Sequence, residues 1–186
     1  MPTSTNSYIL NHYTRNISEQ LNDTTDLLIL DSGGGKNCTI TKRAFHINEI
    51  ISGQKIALSG YQDKKDPKIC SIVNGVTKAF VKGRNEPVLF HINNATLLDD
   101  EEELESLCVP FNLMKHGIKC DLTPTIYGGK GGMTIGDEFF PFDFDEEKLF
   151  FKIVKPNSQD MNDLEHYELT SLLKQIHTRI IEENSS

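Results

Sequence analysis

The stretch LLILDSG at residues 27–33 is a wholly apolar run that ends abruptly in Asp-Ser-Gly. A short apolar run that stops at turn residues predicts a buried β-strand, and this strand would carry Asp31 to the loop that follows it. Asp-Ser-Gly alone is a weak signal, because a turn after any strand can have this composition. The neighbours of the motif therefore decide its meaning.

The residue types around Asp31 suit acid-base chemistry if a second carboxyl group faces the first. Burial raises the pKa of a carboxyl group, and two carboxyl groups held close together cannot both ionise cheaply, so such a pair shares one proton. Together they can hold a water, take its proton as it attacks a carbonyl carbon, and protonate the departing group. Ser32 can fix the loop by hydrogen bonds, while Gly33 allows two backbones to approach closely. This chemistry needs no metal and no other cofactor.

Outward from this stretch, short apolar runs between turn residues predict a mainly β fold. They include TIT at 39–41, KIALSG at 55–60 and KICSIV at 68–73. A hairpin is predicted from residues 76–81 and 88–92, around the turn at 83–86. A second meander is predicted from residues 118–122, 133–135, 139–144 and 149–154.

Two helices are predicted besides the strands. One covers residues 101–116, entered through Asp99-Asp100 and closed by Gly117. The other covers residues 163–182, where apolar residues recur at helical spacing and Asn162 with Glu165 suggests the cap. The predicted organisation is thus a polar arm or linker at 1–24, one core domain at 25–155 and a helical extension at 156–186.

The stretch ILDSGGGKNCTITKRAFHI at residues 29–47 resembles the active-site region of retropepsin-like aspartic proteases from copia-type retrotransposons. The resemblance extends through FVKGRNEPVLFHINNATLL and ESLCVPFNLMKHGIKCDLTP to GGMTIGDEFFPFDFDEEKLFFKI, and so covers about residues 25–155. It implies a retropepsin-like barrel with one short helix in the core domain, a catalytic Asp31, and Ser32 and Gly33 completing the motif. Aspartic proteases are the reference case of two carboxyl groups that share one proton.

The resemblance also implies a β-hairpin flap that closes over an extended peptide, placed here at residues 58–68 with Gly60 and Tyr61 at its tip. A plain surface loop is an equal alternative for this segment. The sequence departs from the family pattern at Gly34, where the family usually has alanine or another small side chain. The family's apolar-apolar-Gly signature is matched only loosely, by Leu113-Met114 before Gly117.

Asp-Ser-Gly occurs once in the 186 residues, so a second carboxylate must come from a second copy of the chain. A two-fold axis through the site would place Asp31 of each copy face to face. The resulting hypothesis is a homodimeric aspartic endopeptidase that processes a retrotransposon polyprotein in the cytoplasm or within virus-like particles. The alternative is a protease-derived binding or assembly module without catalytic activity, which Gly34 and the loosely matched signature motivate.

Composition and motif spacing argue against other functions. The net charge of −8 and the scattered Lys and Arg residues disfavour direct nucleic-acid binding, and no apolar run approaches the roughly 20 residues of a membrane span. Four widely spaced cysteines and a polar start predict a reduced, intracellular protein. The segment GGGKN at 33–37 lacks phosphate-loop spacing, and the six histidines lack metal-ligand spacing. Cys108 is interpreted as a buried structural residue, and the acidic residues 99–105 as a solvated face.

Overall fold

The computed structural model describes residues 26–33, 36–58, 67–101, 103 and 105–171, so the predicted N-terminal arm lies outside the described residues. The described residues are mainly β, which confirms the predicted class. The helices among them are α1 (Pro110–Lys115) and α2 (Ser158–Asp163). The strands are β1 (Asp26–Leu30), β2 (Thr39–Thr41), β3 (His46–Leu58), β4 (Lys68–Phe80), β5 (Val88–Leu98), β6 (Glu105–Cys108), β7 (Lys119–Asp121), β8 (Gly132–Ile135), β9 (Glu138–Pro141), β10 (Asp143–Phe144), β11 (Leu149–Val154) and β12 (His166–Glu168).

Six strands close into a barrel in the order β4, β11, β1, β6, β2 and β5. The closure comes from β11, which pairs antiparallel with β1 on one side and with β4 on the other. The interior contains fully buried aromatic residues, and Phe90 packs edge-on against Phe140 and Phe151 with ring centroids 5.8 and 5.2 Å away. Burying each such side chain contributes roughly 1.5–3 kcal/mol relative to exposure.

The apolar run at residues 27–30 is explained by the position of β1 between two strands. Leu28 packs into the main core, whereas Leu27 and Ile29 point the other way and form a smaller cluster with Phe150. A strand buried on both faces needs apolar residues at successive positions rather than alternating ones. The strand therefore holds Asp31 on a rigid base.

The predicted hairpin is confirmed by β4 and β5, which pair antiparallel with Ala79 opposite Val88. Its turn contains Gly83 at φ 84°, a conformation that favours glycine. Further along β4, the ladder has a register shift between Val73 and Gly75. A Cβ atom at Gly75 would lie 2.6 Å from Cδ1 of Ile40 and 3.2 Å from Cδ1 of Phe45, so a larger residue there would displace these core side chains.

The predicted second meander is confirmed only in part, because residues 139–144 divide between β9 and β10, and residues 149–154 form β11 of the barrel. β7, β8 and β9 form a separate antiparallel sheet, with Cys120 opposite Met133 and Met133 opposite Phe140. Met133 and Phe140 are fully buried and belong to the main core. The small sheet therefore packs its inner face on the barrel.

The helix predicted over residues 101–116 is wrong in its first half. Residues 105–108 form β6, which runs parallel to β1, and the helix α1 covers Pro110–Lys115 only. Proline fits the first turn of a helix but breaks a helix interior, so Pro110 begins the helix instead of lying inside it. Gly117 ends this region at φ 85°, as predicted.

The helix predicted from residue 163 is wrong over residues 164–171, and residues 172–182 lie outside the described residues. A short helix, α2, ends at Asp163, and its capping box is formed by Asn157 and Asp160 rather than by Asn162 and Glu165. The chain then extends as β12, which pairs parallel with β5, and Leu169 is fully buried in the core. The edge of β5 offers unpaired backbone groups that an extended segment can satisfy and a helix cannot.

Candidate active site at Asp31

Asp31 lies directly after β1, at the end of the strand where the parallel neighbour β6 also ends. Its side chain is half-buried, and the side chain of Ser32 and the backbone of Gly33 are exposed. The backbone N–H of Asp31 donates to the carbonyl oxygen of Cys108, the last residue of β6, at 3.0 Å. The ladder between β1 and β6 thus continues by one bond and holds the base of the loop.

The loop also holds the carboxylate itself. The backbone N–H of Gly33 donates to Oδ1 of Asp31 at 2.8 Å, the local turn that aspartate commonly makes with the residue two positions later. A Cβ atom at residue 33 would lie 3.4 Å from the same oxygen, in close van der Waals contact with the carboxylate. Gly34, which the sequence analysis included in the active-site loop, lies outside the described residues.

Two further carboxylates lie at the opposite ends of the same strands. Burial raises the pKa of Glu105 to about 7, with Lys148 at 3.4 Å acting to lower it and the charge of Asp31 adding to the increase. Burial likewise raises the pKa of Asp26 to about 6, opposed by Arg43 at 3.1 Å. The β1 and β6 pair therefore carries buried acids at its start and Asp31 at its end.

The helix α1 follows β6 after a single residue, so it begins close to Cys108, the residue that accepts the N–H of Asp31. Its residue Leu113 is fully buried, which fixes the helix on the barrel. Its residues Phe111 and Met114 are exposed by 63% and 48%, although both are large and apolar. An exposed apolar pair of this kind is a common feature of protein interfaces.

The segment predicted as a flap, residues 58–68, lies in the sequence between the paired strands β3 and β4. β3 and β4 pair antiparallel as far as Leu58 opposite Lys68. Gly60 and Tyr61, the residues predicted at the tip, lie between these two positions and outside the described residues. The structure shows the two paired strands, and the role of residues 58–68 as a flap stays a prediction.

Other side-chain clusters were not predicted from the sequence. Nε2 of His91 lies 2.8 Å from Nδ1 of His166, although the two residues are 75 positions apart and no spacing motif links them. Arg84 forms ion pairs with Glu138 and Glu165 and stacks over Phe140 at 4.5 Å. In the described part of the chain, no group of three or more His, Cys, Asp or Glu residues is arranged to hold a metal ion.

Comparisons of the chain with protein-family models, with curated proteins and with solved structures found no match. No helix in the described ranges is long and apolar enough to cross a membrane. The fold and the site together define the class of the protein as a mainly β barrel. In this barrel an aspartate lies in the loop that follows a strand buried on both faces.

Proposed function

We propose that the protein is an aspartic endopeptidase that acts as a homodimer, with Asp31 of each copy forming the catalytic pair. The observation that carries the proposal is the placement of Asp31, which follows a strand buried on both faces. Its backbone N–H donates to Cys108 and its carboxylate accepts the N–H of Gly33. Catalytic groups need this kind of fixed geometry, since small displacements are costly in rate.

The second carboxylate comes from a second copy because the chain has one Asp-Ser-Gly loop. Neither Glu105 nor Asp26 serves as the partner, since both lie at the starts of β6 and β1 and are paired with Lys148 and Arg43. The exposed residues Phe111 and Met114 on α1 offer an apolar surface close in sequence to the β6 end, where a two-fold axis would bring the two loops together.

In this dimer, one ionised and one protonated Asp31 hold a water between them. The ionised carboxylate takes a proton from the water as it attacks the peptide carbonyl, and the protonated one supplies a proton to the tetrahedral intermediate and then the leaving amine. The two hairpins of β3 and β4 would hold an extended peptide by strand addition. The resemblance to retrotransposon proteases makes a polyprotein the proposed substrate, in the cytoplasm or within virus-like particles.

The test is cleavage of unstructured peptides between pH 4 and pH 7 by the purified full chain, with and without pepstatin. Asp31→Asn is expected to abolish cleavage, whereas Asp137→Asn, at an exposed turn between β8 and β9, leaves it unchanged. Mixing equal amounts of wild type and Asp31→Asn after unfolding and refolding should leave about one quarter of the activity, since about one in four random dimers holds two aspartates. A decrease to about one half would show that one chain acts alone.

The dimer surface has its own test. Replacing Phe111 and Met114 by glutamate is expected to shift the protein to monomer in sedimentation and to remove activity together with the dimer. Ile126→Glu is the matched control, because Ile126 is equally exposed but lies in the short 3-10 turn Thr125–Tyr127. A monomeric double variant that still cleaves would overturn the proposed dimeric site.

The alternative is a binding or assembly module that keeps the barrel without turnover, and the departures at Gly34 and in the loosely matched signature motivate it. It predicts a dimer that captures peptides without cleaving them, both as wild type and as Asp31→Asn. The same assays therefore decide between the two functions.

A further inference from the structure

Two thiols from different strands meet behind the Asp31 loop. Sγ of Cys38, just before β2, lies 3.8 Å from Sγ of Cys108 at the end of β6, and both side chains are buried. Thr39 pairs with Leu107 in the antiparallel ladder between β2 and β6. Cys38 and Cys108 are therefore the next opposing positions along the same two strands.

This placement suits a disulfide. Opposing residues in an antiparallel ladder have Cα atoms about 4.5–5.5 Å apart, within the range of about 4.4–6.8 Å that disulfides span. Side-chain rotation then has to bring the sulfur atoms from 3.8 Å to about 2.0 Å. The other two cysteines differ, since Cys70 on β4 contacts the backbone oxygen of Lys68 and Cys120 lies on β7.

The two thiols are chemically unequal. The hydrogen bond with Cys108 lowers the pKa of the Cys38 thiol, helped by the backbone of Val109 and the side-chain amide of Asn112. The same hydrogen bond, together with burial, raises the pKa of Cys108. A thiolate is the nucleophilic form of cysteine, so the first step with an oxidant is assigned to Cys38, and because both side chains are buried the oxidant reaches it when the surrounding structure opens locally.

Cys108 also holds the start of the candidate catalytic loop. Its carbonyl oxygen accepts the N–H of Asp31 at 3.0 Å, and its sulfur contacts Cys38, where the chain leaves that loop to enter β2. One residue thus contacts both ends of the segment from position 31 to position 38. A covalent bond at this point would fix the exit of the loop to the strand that fixes its entrance.

We propose that Cys38 and Cys108 form a redox site, in which a hydroperoxide oxidises the two thiols to a disulfide that locks both ends of the Asp31 loop. The Cys38 thiolate attacks one peroxide oxygen, which gives a sulfenic acid and releases the other oxygen, once protonated, as an alcohol or, from hydrogen peroxide, as water. Cys108 then attacks the Cys38 sulfur and displaces the hydroxyl group as a second water. With hydrogen peroxide, two thiols and one peroxide give one disulfide and two waters, and two electrons pass from sulfur to oxygen.

The test treats the reduced, full-length wild type with increasing hydrogen peroxide, then unfolds the protein, alkylates the remaining thiols and maps the peptides. We expect a dithiothreitol-reversible link between the peptides that contain Cys38 and Cys108, with Cys70 and Cys120 alkylated. The link should persist in Cys70→Ser and Cys120→Ser. Recovery of Cys38 and Cys108 as alkylated or sulfinic species, or a link from either to another cysteine, would overturn the proposal.

Hydrogen exchange tests the effect on the loop. The amide of Asp31, which bonds to Cys108, should exchange at least about tenfold more slowly in the oxidised than in the reduced wild type, since the disulfide restricts local opening. Equal exchange rates in a sample with the mapped disulfide would overturn the locking role. Neither measurement needs peptide cleavage, so this inference stands or fails independently of the proposed function.

Discussion

Two seams of the barrel are held together by different chemistry. The aspartate seam, formed by β1 with β6 and β11, combines buried leucines with two ion pairs that each contain one buried side chain, Asp26 with Arg43 and Lys148 with Glu105. The C-terminal seam joins β12 and residues 169–171 to β5 and α1 by hydrogen bonds of histidine and threonine side chains, and the ion pair of Arg84 with Glu165 lies beside it.

Because of this difference, a decrease in pH should stabilise the aspartate seam and destabilise the C-terminal seam. Burial raises the pKa of Glu105 and Asp26, so the native state holds more protons than the unfolded state and gains stability as pH falls. Burial lowers the pKa of His91 and of His116, so the native state holds fewer protons there and loses stability as pH falls below the ordinary histidine value of 6.5. The predictions below test this contrast.

The largest effect is expected in the apolar part of the aspartate seam. Leu28→Ala removes a fully buried side chain from the main core and should lower the free energy of unfolding by about 2–5 kcal/mol, as measured by urea denaturation. Ile50→Ala, at an exposed position on β3, should change it by less than about 0.5 kcal/mol. Equal effects of the two substitutions would contradict the doubly buried position of β1.

The acidic part of the seam should make stability depend on pH. A pKa change for Glu105 from 4.5 to about 7 corresponds to roughly 3 kcal/mol at the most, gained as pH falls through about 7 towards 4.5. Between pH 8 and pH 5, the free energy of unfolding of Glu105→Gln should therefore increase by about 2–3 kcal/mol less than that of wild type. Glu86→Gln, in the exposed turn before β5, is the control. A pH profile of Glu105→Gln parallel to wild type would show that Glu105 ionises normally.

In the C-terminal seam, the side chain of Thr170 is buried and forms hydrogen bonds. Its hydroxyl oxygen accepts the N–H of Asn93 at 2.6 Å and donates to the carbonyl oxygen of Asn93 at 2.9 Å. Thr170→Val keeps the shape but leaves these backbone groups unpaired, which should cost about 2 kcal/mol. The loss should appear as faster hydrogen exchange of Asn93 and Leu169, with β1 amides unchanged. Thr125→Val, at an exposed position, should have no such effect.

The aspartate seam could be predicted from sequence more fully than the C-terminal seam. LLIL at residues 27–30 is apolar at successive positions, so it signals a buried strand directly, and Asp31 follows as the first polar residue. The error over residues 105–108 came from an acidic run that resembles a helix start, and Pro110 was the local signal against it. The candidate loop was therefore found, while the parallel strand that supports it was missed.

The C-terminal seam was mispredicted because its evidence is not local. Leu164 and Tyr167 have helical spacing with later apolar residues, yet an unpaired edge of β5 determines the conformation of residues 166–168. The contact of His91 with His166 and the contact of Cys38 with Cys108 join residues 75 and 70 positions apart. Such pairs depend on strand order, which composition and periodicity do not specify.

The smallest expected effect concerns the histidine pair, and it is the most direct test of the contrast between the seams. Nε2 of His166 lies 3.0 Å from the carbonyl oxygen of Met161, so this nitrogen carries the proton and donates it. Nδ1 of His166 then accepts from Nε2 of His91 at 2.8 Å. Burial and the neighbouring His166 lower the pKa of His91, so protonation of His91 in acid places a positive charge where the native structure disfavours it.

The measurement is the hydrogen-exchange protection of Leu169, whose N–H bonds to the carbonyl oxygen of His91 at 2.9 Å, corrected for the intrinsic effect of pH. From pH 7 to pH 5 its protection should fall by about fivefold, equivalent to about 1 kcal/mol, while β1 amides become better protected. His91→Gln should start with lower protection but lose most of this pH dependence, because it removes the buried group whose pKa is lowered, whereas His46→Gln, at an exposed position on β3, should behave as wild type. A change of protection in the same direction at Leu169 and in β1 would contradict the contrast between the seams. It would show that the barrel opens only as a whole.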